Sequence, residues 1–293
     1  MPADGLGLDS GWRCEMRDER GRYRPGHPHE NDGRDRDEAG RYRRKDLHRV
    51  AVISDLHYGS LYQQPTRLKE FLDYAVNDRL CEMILCAGDI SDGLKMREHH
   101  EFEIFLHTAD DIIDYIAEEY PDLGCRTVFI TGNHDNSLWK HAGVELGKAL
   151  ARARSDLRFC GYTKADVTIP GGVQVRLHHG AGGCGENRSL RIQKQSLKAL
   201  EECLAVGRSP PEIFLAGHCH HEAVVHNYFN MFFMSLPCFQ GQTPYLMERG
   251  MISQLGGVVL EYRADGQGLI STPKVDYQQF DQIRGDYPGW KNG

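Results

Sequence analysis

Asp55 and His57 stand two residues apart at the end of the apolar run Val50-Ala51-Val52-Ile53. A carboxylate and an imidazole so spaced can reach one point in space, offering a metal ion one hard oxygen and one borderline nitrogen. The same grammar, a short apolar run and then polar groups, recurs four times. Asp89 follows Met83-Ile84-Leu85-Cys86-Ala87, and Asn133, His134 and Asp135 follow Thr127-Val128-Phe129-Ile130. The doublet His178-His179 ends the run Val173 to Leu177, and His218 and His220 follow Ile213-Phe214-Leu215-Ala216. Carboxylates, an amide carbonyl and imidazoles, with no thiolate required, suit Mn²⁺, Fe or Zn²⁺ in an open site rather than a closed structural zinc site. Singly, Asp-x-His and Gly-Asp are common strand-end turns. Five such clusters at strand ends make a shared site the better reading. In the doublet His179 is preferred because it directly precedes Gly180; strand alternation leaves His178 as the alternative.

The apolar runs read as short buried strands, and ligands of open α/β sheets bind outside the carboxyl ends of strands. Between them, apolar residues at helical spacing place helices over Pro65 to Arg79, Glu101 to Tyr120, Leu138 to Arg154 and Ser189 to Val206. Leu157 to Cys160, Lys164 to Ile169 and Val173 to Leu177 read as antiparallel strands, the last two joined through Pro170-Gly171-Gly172. Ala223 to Tyr228, Met231 to Leu236, Val258 to Arg263 and Leu269 to Val275 form a mostly β tail. Helical crossovers first and hairpins later imply an α/β fold: two packed mixed sheets with helices outside, a four-layer α-β-β-α sandwich. Residues 48–275 are expected to be one domain, with a charged N-terminal arm at 1–47 and a polar tail at 276–293. Within the arm, Arg17-Asp18-Glu19-Arg20-Gly21-Arg22-Tyr23-Arg24 is echoed by Arg36-Asp37-Glu38-Ala39-Gly40-Arg41-Tyr42-Arg43. Composition favours a solvated, flexible, mixed-charge segment. The other reading is a two-copy binding element that presents one tyrosine amid arginines.

Composition bounds the rest. A chain of 293 residues with 40% hydrophobic and 26% charged residues can bury an ordinary globular core. A net charge of −7 argues against tight, sequence-blind nucleic-acid binding by the whole surface. Nine scattered cysteines without a Cys-x-x-Cys pair argue against a disulfide framework and point to a reducing compartment. The first residues lack a signal pattern, and Met231-Phe232-Phe233-Met234 is far too short to span a membrane. A cytoplasmic protein is expected.

Asp55-x-His57, Gly88-Asp89, Gly132-Asn133-His134-Asp135, His179-Gly180 and Gly217-His218-x-His220 resemble the five motifs of the calcineurin-like metallophosphoesterases. The resemblance spans roughly residues 48 to 263. It implies two divalent ions, Mn²⁺ favoured, with Asp55, His57 and His220 on one, Asn133, His179 and His218 on the other, and Asp89 bridging. It also implies His134 as the group that stabilises or protonates the leaving oxygen, with Asp135 orienting it. The implied activity is hydrolysis of a phosphate ester by metal-activated water, a phosphodiester preferred. A DNA exonuclease or endonuclease of the same chemistry is the alternative, with nucleotide or nucleic acid as partner. A non-catalytic binding scaffold is the third reading, disfavoured because every motif position is filled.

Three further positions carry expectations. Arg188, after the glycine-rich loop 181–187, could meet a phosphate. Cys219 reads as a small buried residue pointing away from the metals. Phe239 and Tyr245 could stack on a base or aryl group, with core packing the default for at least one of them.

Overall fold

Along three neighbouring strands Val50, Val52, Leu85, Val128 and Ile130 face one way while Ala51, Ile53, Ile84, Cys86 and Phe129 face the other, and all are buried. Strands buried on both faces need a layer on each side. The computed structural model describes residues 16–17, 23–24, 46–180 and 188–288, and it supplies both layers. The six-stranded sheet begins with β1 (Leu47–Ile53), β2 (Ile84–Cys86), β3 (Thr127–Thr131) and β4 (Leu157–Tyr162), which pair in parallel. The five-stranded sheet contains β5 (Lys164–Ile169), β6 (Val173–His179), β7 (Ile213–Gly217), β8 (Ala223–Tyr228) and β9 (Met231–Ser235), in the order β8-β9-β7-β6-β5. The chain then returns as β10 (Gly256–Arg263) and β11 (Lys274–Gln279), giving the first sheet the order β11-β10-β1-β2-β3-β4.

Val173, Val175, Leu177, Ile213 and Leu215 of the second sheet meet Val50, Val52, Leu85 and Ile130 of the first in one apolar layer. Outside the first sheet lie α1 (Pro65–Asp73), α2 (Ala109–Glu119), α3 (Asn136–Ala142) and α4 (Leu146–Ala153), which bury Leu68, Phe71, Ile112, Ile116, Leu138 and Leu150. Outside the second sheet, α5 (Arg188–Ala205) sets Ala199 over Phe214, Ala216 and Phe233, whose two rings stack at 4.1 Å. A short α6 (Pro244–Glu248) follows β9. The result is the expected helix–sheet–sheet–helix sandwich. None of the described helices is long and apolar enough to cross a membrane.

Several boundaries differ from expectation for local reasons. The helix expected from Glu101 starts only at Ala109, because Thr108 caps it: its hydroxyl accepts the Asp111 N–H at 3.2 Å. Residues 100–102 form a separate 3₁₀ turn. The helix expected over Leu138 to Arg154 is two helices, since Gly143 adopts φ 69° and ends α3. The strand from Leu157 is parallel to β3, not antiparallel. The last strand runs Lys274–Gln279 and pairs with β10, so the sheet extends past the boundary expected at 275. Beyond it the chain docks on the start of α1: Ile283 and Gln64 exchange two hydrogen bonds of 2.8 Å, and Asp286 accepts from Thr66 N and Oγ1. Of the arm, the described residues are two antiparallel dipeptides, Met16–Arg17 and Tyr23–Arg24, together with Asp46 and Leu47, which lead into β1; the rest of its expected character lies outside the described residues.

Candidate metal centre

The five strand-end clusters meet at the carboxyl edge of the two sheets. The turn after β1 runs alongside the turn after β2: the N–H groups of Asp55, Leu56, His57 and Tyr58 donate to carbonyls of Gly88, Asp89, Asp89 and Ile90 at 2.8–3.1 Å. Close approach depends on two glycines. A Cβ on Gly132 would lie 2.1 Å from Asp89 Oδ1, and one on Gly88 would lie 2.7 Å from His179 Nδ1. Asp55, His57, Asp89, His218 and His220 all adopt positive φ, between 49° and 88°. Non-glycine residues rarely accept that region, and such strain gathers at functional sites.

Two clusters of ligand-type atoms result, each with its atoms within 4.8 Å of one another: Asp55, His57 and His220, and Asp89, His179 and His218. They adjoin, because His57 Nε2 is 4.0 Å from Asp89 Oδ2 while His179 Nε2 is 3.9 Å from Asp55 Oδ1. The floor is dry, with Asp55, His57, Asp89 and His179 at most 2% exposed. Asn133, His134 and His218 are half-buried and form the rim.

The donor set fits cations. His57 Nδ1 is 2.8 Å from Asp92 Oδ1 and His179 Nδ1 is 2.7 Å from the Ala87 carbonyl. Both partners are acceptors, so both Nδ1 atoms carry the proton and both Nε2 atoms present lone pairs to the centre. His179 Nε2 lies 2.9 Å from Asp89 Oδ2, and Asn133 Oδ1 is buried without a partner. Converging lone pairs and carboxylates repel unless a cation sits among them. In the metal-free chain, protonated imidazoles take that part. Burial would depress His179, but Asp89 and Asp55 outweigh it and hold it at about 9. Burial would likewise raise Asp55 and Asp89, but the histidines hold both carboxyls far below the usual range.

His134 is set for proton transfer. Its N–H donates to Asp89 Oδ1 at 2.8 Å, and its ring Nδ1 is 2.7 Å from the Asp92 carbonyl and 3.2 Å from Asp92 Oδ1. Nδ1 therefore holds a proton and Nε2 is left for a substrate. Against the depressing effect of burial, Asp89 and Asp92 hold the imidazole at about 9.

A family model for calcineurin-like phosphoesterases matches residues 48–247. The chain belongs to that family. No curated protein matches it by sequence. Among solved structures similar to this phosphoesterase is a dimetal phosphatase from Danio rerio, 12% identical, with a TM-score of 0.43, covering 78% of this chain and 98% of that one. A metallophosphoesterase from Sphaerobacter thermophilus is 14% identical, with a TM-score of 0.35 over 80% of this chain and 89% of that one. A 5'-nucleotidase from Candida albicans is 11% identical, with a TM-score of 0.41 over 80% of this chain and 51% of that one.

Within the family frame some sequence expectations change. His179, the preferred member of the doublet, faces the centre, while His178 packs its ring 5.4 Å from Phe214. Asp135 does not orient His134. Its carboxylate accepts from the N–H groups of Ile90, Ser91 and Gly132 and from Ser91 Oγ, tying the turn after β2 to the turn after β3. Burial and Asp89 raise it to about 6.

The residue beside His134 is Asp92, which the sequence reading passed over. It meets His57, His134, Gln240 Nε2 at 3.3 Å and His100 Nε2 at 3.4 Å. Burial would raise Asp92, but hydrogen bonds from His100, His134 and His57 hold it well below the usual range. Its position three residues after Asp89, in Gly-Asp-x-x-Asp, was the available signal.

Cys219 is half-buried and disulfide-bonded, not a small buried residue. Phe239 is core, 6.0 Å from Phe71, and Tyr245 has Arg97 and Arg249 each 4.4 Å from its ring centroid. Arg188 opens α5, and its side chain lies outside the described residues.

Proposed function

We propose that this metal-dependent phosphoesterase carries two divalent ions and prefers phosphodiesters. The carrying observation is Asp89, which is grouped with His179 and His218 and lies 4.0 Å from His57 of the group Asp55, His57 and His220; Asn133, whose Oδ1 is buried without a partner, is retained as a further ligand. In this reading Asp89 would be a ligand held in common by both ions. When bound, the ions would activate water and neutralise the phosphoryl oxygens. Mn²⁺ is favoured because the set mixes hard oxygens with imidazoles; Fe and Zn²⁺ suit the same donors.

The chain's own residues supply the remainder. Asp92 fixes the tautomer of His57 and of His134. Asp135 fixes the two turns that carry Asp89 and His134. His134 stands at the half-open rim with its Nε2 free and donates a proton to the departing oxygen. An alkyl ester suits this role, since its alkoxide leaves poorly without a proton donor. Arg188 is retained as a phosphate contact. Six free thiols among the described residues favour a reducing compartment such as the cytoplasm, and the Cys219 disulfide counts against one.

The test pairs metal analysis with hydrolysis of an aryl phosphodiester and an aryl phosphomonoester in added Mn²⁺. About two ions per chain and faster diester turnover are expected. Faster monoester turnover would make it a phosphatase, and absence of metal and turnover together would sink the enzyme.

A further inference from the structure

Beside the metal centre lies a second concavity that the chemistry above does not use. It has a volume of about 310 Å³ and opens between the ends of β3 and β4 and the helices α3 and α4. Thr131, Asn136, Trp139, Glu145 and Tyr162 line it, with Asp135 at its inner edge. The volume is at the lower end for a small-molecule site.

Its walls are two aromatic rings that the fold leaves in solvent. Trp139 is 60% exposed and Tyr162 is 44% exposed. Tyr162 is braced: Phe159 meets its ring edge-on at 5.2 Å, and its hydroxyl donates to Glu145. A large ring held rigid and left uncovered is a stacking platform. Thr131 lines the inner end of the cavity and is 2% exposed, with its Oγ1 enclosed and without a hydrogen-bond partner. A buried hydroxyl left unpaired is costly unless a ligand satisfies it. Thr131 and Tyr162 are register partners across β3 and β4, so the two side chains lie on the same face of the sheet. The Asn136 amide and Glu145 carboxylate add donor and acceptor capacity at the rim.

The cavity is tied to the reaction by chain geometry. Thr131 directly precedes the turn that carries Asn133 and His134, and Asn136 and Trp139 share one face of α3 immediately after it. Trp139 lies in the first turn of α3, five residues after His134, and Asp135 both lines the cavity and directly follows His134, so the cavity adjoins the turn that carries His134.

The geometry points to this cavity as the seat of a nucleobase, the planar group of a nucleotide ester whose phosphate lies at the metal centre. The rings hold the base by stacking, and Asn136 and Glu145 meet its polar edge. This reading rests on the phosphoesterase assignment for the phosphate and on the cavity alone for the base.

The metal-loaded full chain is assayed on the methyl diester of adenosine 5'-phosphate and on the matching diester of ribose 5-phosphate, which lacks the base. Trp139→Ala and Tyr162→Ala are each expected to raise KM about tenfold for the first substrate and leave kcat and the base-free substrate unchanged. Equal change on both substrates, or on neither, would overturn the proposal. Adenosine is titrated separately against intrinsic tryptophan fluorescence, with Trp139→Phe as the blank; quenching specific to Trp139 is expected, and its absence overturns the base site. Failed turnover with quenching intact would sink the esterase assignment and leave the base site standing. Tighter binding of a single-stranded oligonucleotide than of the mononucleotide would assign the base to a strand end, the reverse order to a free nucleotide.

Discussion

The two sheets contribute unlike things to the centre. The six-stranded sheet supplies every carboxylate and the rim imidazole His134, on turns that brace one another through Asp92 and Asp135. The five-stranded sheet supplies imidazoles alone, His179, His218 and His220, and borrows their orientation from across the seam. His179 is aligned by the Ala87 carbonyl, and the His218 N–H donates to the Asp55 carboxylate at 2.9 Å. One side is a prearranged anionic cradle and the other a set of imidazoles brought up to it. Metal then acts as the adhesive of the seam, since a cation satisfies both sides at once.

The comparison breaks first at Asp89, the residue both clusters touch. Asp89→Asn should cost at least about 10³-fold in turnover and drop metal content below two ions per chain. An Asn variant that keeps full metal content and rate would refute the bridging role. His134→Ala is expected to lose about 10²–10⁴-fold in kcat with metal content unchanged, which separates the rim donor from the ligands.

Next, the two acids flanking His134 should fail differently. Asp92→Asn is expected to lower kcat about 10–100-fold through misplaced imidazoles, with little change in melting. Asp135→Ala strands three backbone N–H groups and should cost about 3 kcal/mol of stability, read by chemical denaturation. Matching losses of rate and stability in both variants would erase the distinction.

The pH dependence sharpens it further. His134 and His179 are held at about 9 in the folded, metal-free chain, above their unfolded value near 6.5. Their contribution to stability is therefore complete below about 6.5 and is lost as pH rises through about 9. Asp55 and Asp89 are depressed, so theirs is present above about 4 and lost in acid. The metal-free chain should melt highest between those limits. Metal affinity should rise across the same alkaline window, because ligation needs neutral imidazoles. Thermal melts with and without chelator across pH check both; parallel trends would contradict the cradle.

The strand-end clusters were legible because local chemistry wrote them: a buried run, a turn, a ligand. The layers followed from the same runs, whose residues are apolar on both faces. What escaped was set by contacts distant in sequence or by competing local bonds. Adjacency suggested that Asp135 serves His134, but its place before α3 turns it onto backbone N–H groups, while Asp92, forty-odd residues away, takes the task. The apolar spacing from Glu101 looked helical through Tyr120, and only the Thr108 hydroxyl cap divides it. Leu157 to Tyr162 has no feature that favours a parallel neighbour; β3 alone decides that. Between His178 and His179, alternation could offer a choice, and the packing of Phe214 made it.

The left-handed backbone at Asp55, His57, Asp89, His218 and His220 has a consequence for descent. Each such residue costs roughly 1–2 kcal/mol that glycine would not incur. His218→Gly should abolish full metal loading yet leave the metal-free chain about 1 kcal/mol more stable, as urea denaturation in chelator would show. Loss of function and gain of robustness thus run in one direction. A lineage released from selection for hydrolysis can slide, one ligand at a time, toward a sturdier and chemically silent protein, and only continued demand for turnover keeps the strained residues in place.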